Sequence, residues 1–269
     1  MEFRTVVDVE DPGFRIEPCE EMLFVGSCFA DNIGARFKEE KFRATVNPFG
    51  VMYNPASILH TVERSSLAEP SILGSLRTAF FTLGTNHIYR LKETGEIVDN
   101  CQKRPQSLFT EEELTVDECA NYLQKAIDIL RAANPDIRVV LTVSPIRYRK
   151  YGYHGSQLSK ATLLLATRQV AGTSYFPAYE IINDELRDYR FYAEDMLHPS
   201  SQAVEYIWQR LSEVYLSDAA KQFIKEWQPL KAALNHKPFN PESQEYRIFM
   251  DKTMLKIAEL QKKYPNFAV

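Results

Sequence analysis

The stretch LFVGSCFA at residues 23–30 decides the fold class of this chain. An apolar run ends at Gly26-Ser27, and apolar residues then recur every four positions, which is typical of a helix. This order predicts a buried strand at 22–25 and a helix at 28–40. Ser27 is therefore expected at the carboxyl end of a buried strand, where open α/β sheets place their ligand sites.

The rest of the chain alternates predicted strands with predicted helices. The expected elements are, in chain order, a helix from Pro55, a strand at 77–83, a hairpin within 87–100, a helix at 110–133 with Thr115 as a plausible N-cap, a strand at 137–143, a helix at 158–171, a strand at 173–177 and a helix at 199–216. This alternation predicts an α/β fold, with a mostly parallel sheet covered by helices on both faces.

The chain changes character after about residue 217. Two helices, at 218–234 and 241–263, are predicted with no strand between them. We expect a catalytic domain at 1–217 and a helical appendage at 218–269 that packs on the same domain. This appendage is expected to cap the core or to contact a partner.

Composition and charge narrow the function classes. The chain has 269 residues, of which 45% are hydrophobic and 25% charged, and its net charge is −4. It has no basic block, so we expect no nucleic-acid partner. It also lacks an apolar run long enough to span a membrane. The first residues carry acids and no apolar signal region, which favours a cytoplasmic location.

The cysteine pattern indicates reduced thiols. The four cysteines form no C-x-x-C pair, and no histidine lies at zinc-ligand spacing from them. The sequence also lacks a glycine-rich phosphate loop. We therefore expect neither a metal nor a cofactor.

Ser27 and the distant pair Asp195 and His198 suggest nucleophilic catalysis. A serine hydroxyl becomes a good nucleophile when a base takes its proton. Asp195 could accept the Nδ1–H of His198 and leave the other ring nitrogen free to face that hydroxyl. The alternatives are that Ser27 only caps a helix and that the D-x-x-H pair lies in an exposed loop.

Acyl transfer also needs hydrogen-bond donors for the oxyanion. The backbone N–H of Ser27, the N–H of Gly50 and the side-chain amide of Asn86 are candidates, since all are expected in loops at strand ends. Gly and Asn are also common in turns for purely conformational reasons. Cys28 is a further candidate nucleophile, because only one of two adjacent side chains in such a turn can face the site.

Several motifs resemble those of the GSCFA domain family, which is similar to the SGNH (GDSL-like) hydrolases. The resemblance covers roughly residues 20–215. The motifs are GSCFA at 26–30, NPFGVMYNP at 47–55, TVSP at 142–145, SKA at 159–161, YFPAYE at 175–180 and YAEDMLHPS at 192–200.

This resemblance implies a three-layer α/β/α, flavodoxin-like fold with a parallel sheet of about five strands. It implies that Ser27 is the nucleophile and that Asp195 and His198 complete a catalytic triad. Ser27, Gly50 and Asn86 would form the oxyanion hole.

The resemblance has two departures. The first block usually reads Gly-Asp-Ser, whereas residues 25–27 here read Val-Gly-Ser. His87 follows Asn86, where the third block often has Asp. Asn47 and Asn54 compete with Asn86 as the oxyanion amide.

Other polar residues are candidates for binding the substrate. Arg147, His154 and Lys160 are expected in or near a loop that overhangs the site, with Asn54 and His87 close to it. The alternative is a solvated basic loop.

The sequence thus predicts a serine hydrolase that cleaves a small acyl ester, an acetylated carbohydrate being one candidate. An acyltransferase with the same nucleophile, a non-catalytic binding module and a Cys28 thiol enzyme are the alternatives. The oligomeric state stays open.

Overall fold

A computed structural model describes residues 3–99, 101 and 104–268. It contains a parallel five-stranded sheet of order β2-β1-β3-β7-β8 and an antiparallel three-stranded sheet of order β5-β4-β6. The strands are β1 (Glu21–Gly26), β2 (Arg43–Val46), β3 (Thr78–Leu83), β4 (His87–Leu91), β5 (Ile97–Val98), β6 (Phe109–Glu113), β7 (Arg138–Val143) and β8 (Ser174–Tyr175).

Helices cover both faces of the larger sheet. The α-helices of the described residues are α1 (Cys28–Glu39), α2 (Pro55–Ala68), α3 (Pro70–Ser75), α4 (Val116–Ala133), α5 (Gly152–Gln169), α6 (Ala178–Glu180), α7 (Ser201–Tyr215), α8 (Asp218–Leu234) and α9 (Gln244–Lys263). This three-layer arrangement confirms the predicted fold class.

The alternating side chains of β1 explain the two cores. Leu23 and Val25 pack with residues of α2, α4 and α5 on one face of the sheet. Met22 and Phe24 point to the other face and pack with α1 and α7. Because β1 is apolar on both faces, it lies in the interior of the sheet, between β2 and β3.

Several local elements differ from the predictions. β2 was not predicted, because this strand is short and lies at the edge of the sheet. The predicted helix at 110–133 begins at Val116, where Thr115 and Glu118 form a capping box, and β6 occupies its first residues. Tertiary pairing with β4 therefore overrides the local helix signal.

The helix predicted at 158–171 begins earlier, at Gly152. Gly152 has a φ of +66°, so the chain turns into the helix there. His154 consequently lies in the first turn of α5 and not in an overhanging loop.

The C-terminal helix α8 packs against the end of α1. The indole Nε1 of Trp227 donates to the carbonyl of Glu39 at 2.9 Å. Lys231 lies 3.0 Å from carboxylate oxygens of both Glu39 and Glu40. The domain boundary near residue 217 stays a prediction. Within the described residues, no helix combines the length and the apolarity needed to cross a membrane.

We predict that Gly26→Ala destabilises the fold strongly. Gly26 has a φ of +146°, and a Cβ at this position would lie 2.1 Å from the carbonyl oxygen of Thr82. Strain and overlap together should lower the free energy of unfolding by about 3 kcal/mol or more. Urea denaturation measures this loss. Gly74→Ala is the control, because its added Cβ would meet only an ordinary contact at 3.7 Å. Equal stability of the two variants would contradict the prediction.

Candidate active site

Three parallel strands bring their carboxyl ends to one rim of the sheet. The N–H of Ser27 donates to the carbonyl of Thr82 at 3.1 Å, and the N–H of Ser144 donates to the carbonyl of Leu83 at 2.8 Å. The residues that follow β1, β3 and β7 are therefore neighbours. This rim is where a parallel sheet places a ligand site.

Ser27 is the N-cap of α1 and is fully buried, at 0% exposure. Its hydroxyl accepts the N–H of Phe29 at 3.3 Å and donates to Ser144 Oγ at 2.9 Å. Thr82 Oγ1 lies 3.3 Å away.

Cys28 is the first residue of α1 and is half-buried. Burial is the largest effect on its thiol and raises the pKa to about 11, and the Asp31 carboxylate adds to the rise. The charge of Lys160 and the N–H groups of Cys28 and Phe29 oppose this rise. The thiol therefore holds its proton at neutral pH.

Asp195 and His198 form a hydrogen-bonded pair in the loop before α7. His198 Nδ1 lies 2.5 Å from Asp195 Oδ2. The N–H groups of His198 and Leu197 donate to Asp195 Oδ1 and lower the pKa of this carboxyl to about 2. The carboxylate is ionised at neutral pH and can hold the imidazole with Nε2 available to another group.

Arg147 connects this loop to the rim. Its N–H donates to the carbonyl of Leu197 at 3.0 Å, and its Nη1 donates to the carbonyl of Met196 at 3.0 Å. Among the described residues, no hydrogen bond joins the His198 ring to Ser27 or Cys28. The predicted Ser27–His198 hydrogen bond is therefore not formed, although the 144–148 segment connects both parts of the site.

The predicted oxyanion donors are already engaged within the protein. The Ser27 N–H binds Thr82, the Gly50 N–H donates to the Asn47 carbonyl at 2.9 Å, and the Asn86 amide donates to the Leu114 carbonyl at 2.8 Å. The partners of Ser27 and Asn86 are distant in sequence, whereas the Gly50 bond closes a local turn. The oxyanion hole stays a prediction.

The competing amides also have structural partners. Asn47 Oδ1 accepts the N–H of Gly26 at 2.9 Å, and its Nδ2 donates to Asp31 at 2.6 Å. Asn54 Oδ1 accepts the N–H of Ser57 at 2.9 Å and so caps α2.

Lys160 is fully buried and lies against the rim. Its Nζ donates to the carbonyls of Gly84 at 2.7 Å and Ser144 at 2.8 Å. Burial lowers its pKa to about 7. A neutral amine has two N–H groups, which these two carbonyls satisfy. The predicted role in substrate binding is not supported, because the amine faces the protein interior.

A cavity of about 350 Å³ adjoins the rim. Aromatic and polar side chains line it, including Tyr53, Asn54, Thr85, His87, Tyr148 and Tyr151. The rings of His87 and Tyr151 stack at 3.6 Å with an interplanar angle of 3°. The structure thus brings two of the predicted binding residues, Asn54 and His87, to one cavity.

Arg147 and His154 lie elsewhere. The Arg147 guanidinium is surrounded by the rings of Tyr153, Tyr189 and Tyr192, at 4.5–5.8 Å from their centroids. His154 is exposed on α5. Arg147 therefore has a structural role: it joins the segment after β7 to the loop before α7.

Sequence reasoning missed the roles of Thr82, Ser144 and Tyr148. The Tyr148 hydroxyl is buried and has no hydrogen-bond partner among the described residues. A Cβ on Gly84 would lie 2.6 Å from this hydroxyl and 3.5 Å from Ser27 Cβ. Glycine at 84 therefore lets the tyrosine reach the rim. The TVSP motif pointed to Ser144, but no local pattern predicts its partner.

Comparison with protein families gives a match over most of the chain. The GSCFA family matches residues 21–72 and 68–211, and the C-terminal domain of GSCFA domain proteins matches 227–269. The chain belongs to the GSCFA family. None of the curated proteins with which this GSCFA chain was compared matches it.

Solved structures similar to the GSCFA chain have low sequence identity. An acetylxylan esterase from Geobacillus stearothermophilus, a catalytic mutant, has 11% identity and a TM-score of 0.45, covering 76% of this chain and 98% of that one. A carbohydrate esterase family 3 protein from Talaromyces cellulolyticus has 12% identity and a TM-score of 0.41, covering 77% and 99%. A family 3 carbohydrate esterase from Clostridium thermocellum has 11% identity and a TM-score of 0.42, covering 81% and 99%.

The described part of the GSCFA chain contains no group of three His, Cys, Asp or Glu side chains that could hold a metal ion.

We predict that Lys160 makes the stability of the protein pH-dependent. The pKa of this amine is about 7 when folded, against an ordinary value of 10.5, so the unfolded chain binds more protons between these pH values. Stability contributed by this site should therefore rise as the pH increases from about 7 to 10. Denaturation of the wild type and Lys160→Met at both pH values isolates the effect. A stability difference between them that stays constant with pH would contradict the prediction.

Proposed function

We propose that this protein hydrolyses a small acyl ester at the carboxyl rim of its sheet. The single observation that carries the proposal is the Asp195–His198 pair, whose 2.5 Å hydrogen bond engages Nδ1 and leaves Nε2 available to another group. The side chains of this pair are about half exposed, at 44% and 48%. An incoming substrate can therefore reach the imidazole directly.

The steps follow from the residues at the rim. The imidazole takes a proton from a nucleophile at the β1–α1 junction, and the Asp195 carboxylate stabilises the imidazolium. The nucleophile bonds to the acyl carbon, the alcohol leaves with the proton from His198, and water releases the acid. Ser27 and Cys28 are the two candidate nucleophiles at that junction.

The cavity favours a substrate with a flat or ring-shaped alcohol part. The rings of Tyr53, Tyr148 and Tyr151 offer faces on which a sugar ring can pack, and Asn54 and Thr85 offer hydrogen bonds. An acetylated carbohydrate fits this chemistry. Esterases acting on carbohydrates occur among the structurally similar proteins, but the likeness of fold does not determine the substrate.

We predict that His198→Ala abolishes ester hydrolysis without unfolding the protein. Loss of a general base should reduce kcat/KM by a factor on the order of 100 to 10000. Stopped-flow or plate assays with p-nitrophenyl acetate measure the rate, and circular dichroism measures folding.

His236→Ala is the matched control, because His236 is exposed on the C-terminal part of the chain. It should hydrolyse the ester at the wild-type rate. Unchanged hydrolysis by the His198 variant would exclude this base. Binding of acetylated sugars by a wild type that hydrolyses none of them would instead identify a binding module.

A further inference from the structure

We propose that the hydroxyl of Tyr148 donates a hydrogen bond to the carbonyl oxygen of the bound ester and stabilises the oxyanion that forms there. This inference rests on the proposed ester hydrolysis and adds a catalytic residue to it. Three structural observations support it: the hydroxyl has no protein partner, the residue extends from the cavity to the rim of the sheet, and the surrounding groups hold it in place.

The Tyr148 hydroxyl is a buried donor without an acceptor among the described residues. Such a group has lost its hydrogen bonds to water and gained none, so it is rare unless a ligand or a bound water completes it. The Tyr215 hydroxyl is also buried without a partner, but it lies among the apolar side chains of a core. Tyr148 differs because it lines the cavity of about 350 Å³. A ligand oxygen in this cavity can therefore supply the acceptor.

His87 supplies a second unpartnered polar atom in the wall of the same cavity. Its Nδ1 is buried and makes no hydrogen bond within the described residues, and the nearest carboxylate oxygen, on Glu111, lies 3.5 Å away. An apolar void would leave no polar atoms to satisfy, whereas ligand sites carry a few polar groups in a mostly aromatic wall. The two unpartnered atoms therefore indicate that the cavity is built to hold a polar ligand.

Gly84 shows how close the Tyr148 hydroxyl lies to the β1–α1 junction. The point that a Cβ on Gly84 would occupy is 2.6 Å from Tyr148 Oη and 3.5 Å from Ser27 Cβ. The hydroxyl and the junction are thus neighbours across a residue that has no side chain. An ester oxygen bound to this hydroxyl would place the acyl carbon next to the junction, where both candidate nucleophiles lie.

The surrounding groups hold the Tyr148 ring in one position. Its backbone N–H donates to Ser156 Oγ at 3.2 Å. Its ring meets the ring of Tyr53 at 86° and the ring of Tyr151 at 30°, with centroid separations of 6.3 and 6.1 Å. Lys160 Nζ lies 5.3 Å from the ring centroid. A donor that is fixed before the reaction needs no reorganisation when negative charge develops, and this preorganisation is the main source of oxyanion stabilisation in enzymes.

The donors predicted from the sequence leave this role open. The N–H groups of Ser27 and Gly50 and the amide of Asn86 are each bonded to a protein carbonyl, whereas the Tyr148 hydroxyl is bonded to none within the described residues.

The Tyr148 hydroxyl acts as a donor and keeps its proton. Burial raises its pKa well above the ordinary value of 10, so the phenol is neutral at the pH of an ester assay. When the nucleophile bonds to the acyl carbon, the carbonyl π pair moves to oxygen, and the hydrogen bond from Tyr148 strengthens. When the C–O bond to the alcohol breaks, the pair returns and the carbonyl re-forms.

Tyr148→Phe tests the inference, because it removes the hydroxyl and leaves the ring. With the full chain and p-nitrophenyl acetate as the probe, we expect kcat to fall by a factor on the order of 100 or more with little change in KM, because the hydrogen bond is strongest in the transition state. The midpoint of urea denaturation should equal that of the wild type or exceed it, because the hydroxyl contributes no hydrogen bond to the fold.

Tyr215→Phe is the matched control. It also removes a buried hydroxyl that has no partner among the described residues, but one in the apolar core packed with Phe14 and Phe80. Its kcat should stay within about twofold of the wild type, because the change is remote from the cavity and the rim.

A sulfur-for-oxygen change in the substrate identifies the atom that Tyr148 contacts. In p-nitrophenyl thionoacetate the carbonyl oxygen is replaced by sulfur, which accepts hydrogen bonds weakly. The wild type should prefer the oxygen ester by a larger factor than Tyr148→Phe does, because the variant lacks the hydroxyl that distinguishes the two atoms. A purely structural role of Tyr148 would lower the rates with both esters equally.

The outcomes separate the two proposals. Four results for Tyr148→Phe would each overturn the role of this hydroxyl and leave ester hydrolysis standing: a wild-type kcat, a loss confined to KM, an unchanged oxygen-to-sulfur preference, or a clear loss of stability. A wild type that hydrolyses no acetyl ester would overturn both proposals.

Discussion

The close approach of β1 to β3 at Gly26 is the constraint on which the rest of the site depends. At φ +146° the chain passes so near to Thr82 that any side chain at 26 would overlap its carbonyl oxygen. The next N–H donates to that same oxygen at 3.1 Å. With the backbone fixed in this way, residue 27 must cap the helix and residue 28 must begin it. The full burial of Ser27 and the half-burial of Cys28 thus follow from one backbone conformation.

The buried polar groups around this turn form one connected arrangement. Ser27, Thr82 and Ser144 join β1, β3 and β7 through hydroxyl contacts of 2.9 and 3.3 Å. Lys160 adds a second connection between the ends of β3 and β7 by binding two carbonyls. Such groups are costly to bury unless each finds a partner. Their mutual satisfaction makes the rim rigid, which is what a site needs to hold a nucleophile in a fixed direction.

The sequence was sufficient for features with local causes. The period of four after residue 27 predicted α1, and the β-branched run at 137–143 predicted β7, because these patterns match the geometry of each element. The spacing of Asp195 and His198 predicted a pair that the structure shows as hydrogen-bonded. Features that depend on distant partners were not accessible. The Asn86 amide faces Leu114, and the Lys160 amine lies against the carbonyls of Gly84 and Ser144. No pattern within either segment determines these outcomes.

The placement of the Asp195–His198 pair in the molecule and the geometry within this pair have different causes. Asp195 and His198 are held together by bonds within their own loop, including the N–H of Ala193 to the carbonyl of His198 at 2.8 Å. Those bonds would persist wherever the loop lay. Its placement beside the rim comes from Arg147, which donates two hydrogen bonds to the loop from the segment that continues β7. That segment also carries Ser144, which binds the Ser27 hydroxyl, and Tyr148, whose hydroxyl has no partner among the described residues. A single stretch of chain therefore positions these two residues and the loop that carries His198. The separation between the His198 imidazole and the β1–α1 junction is therefore a property of this segment.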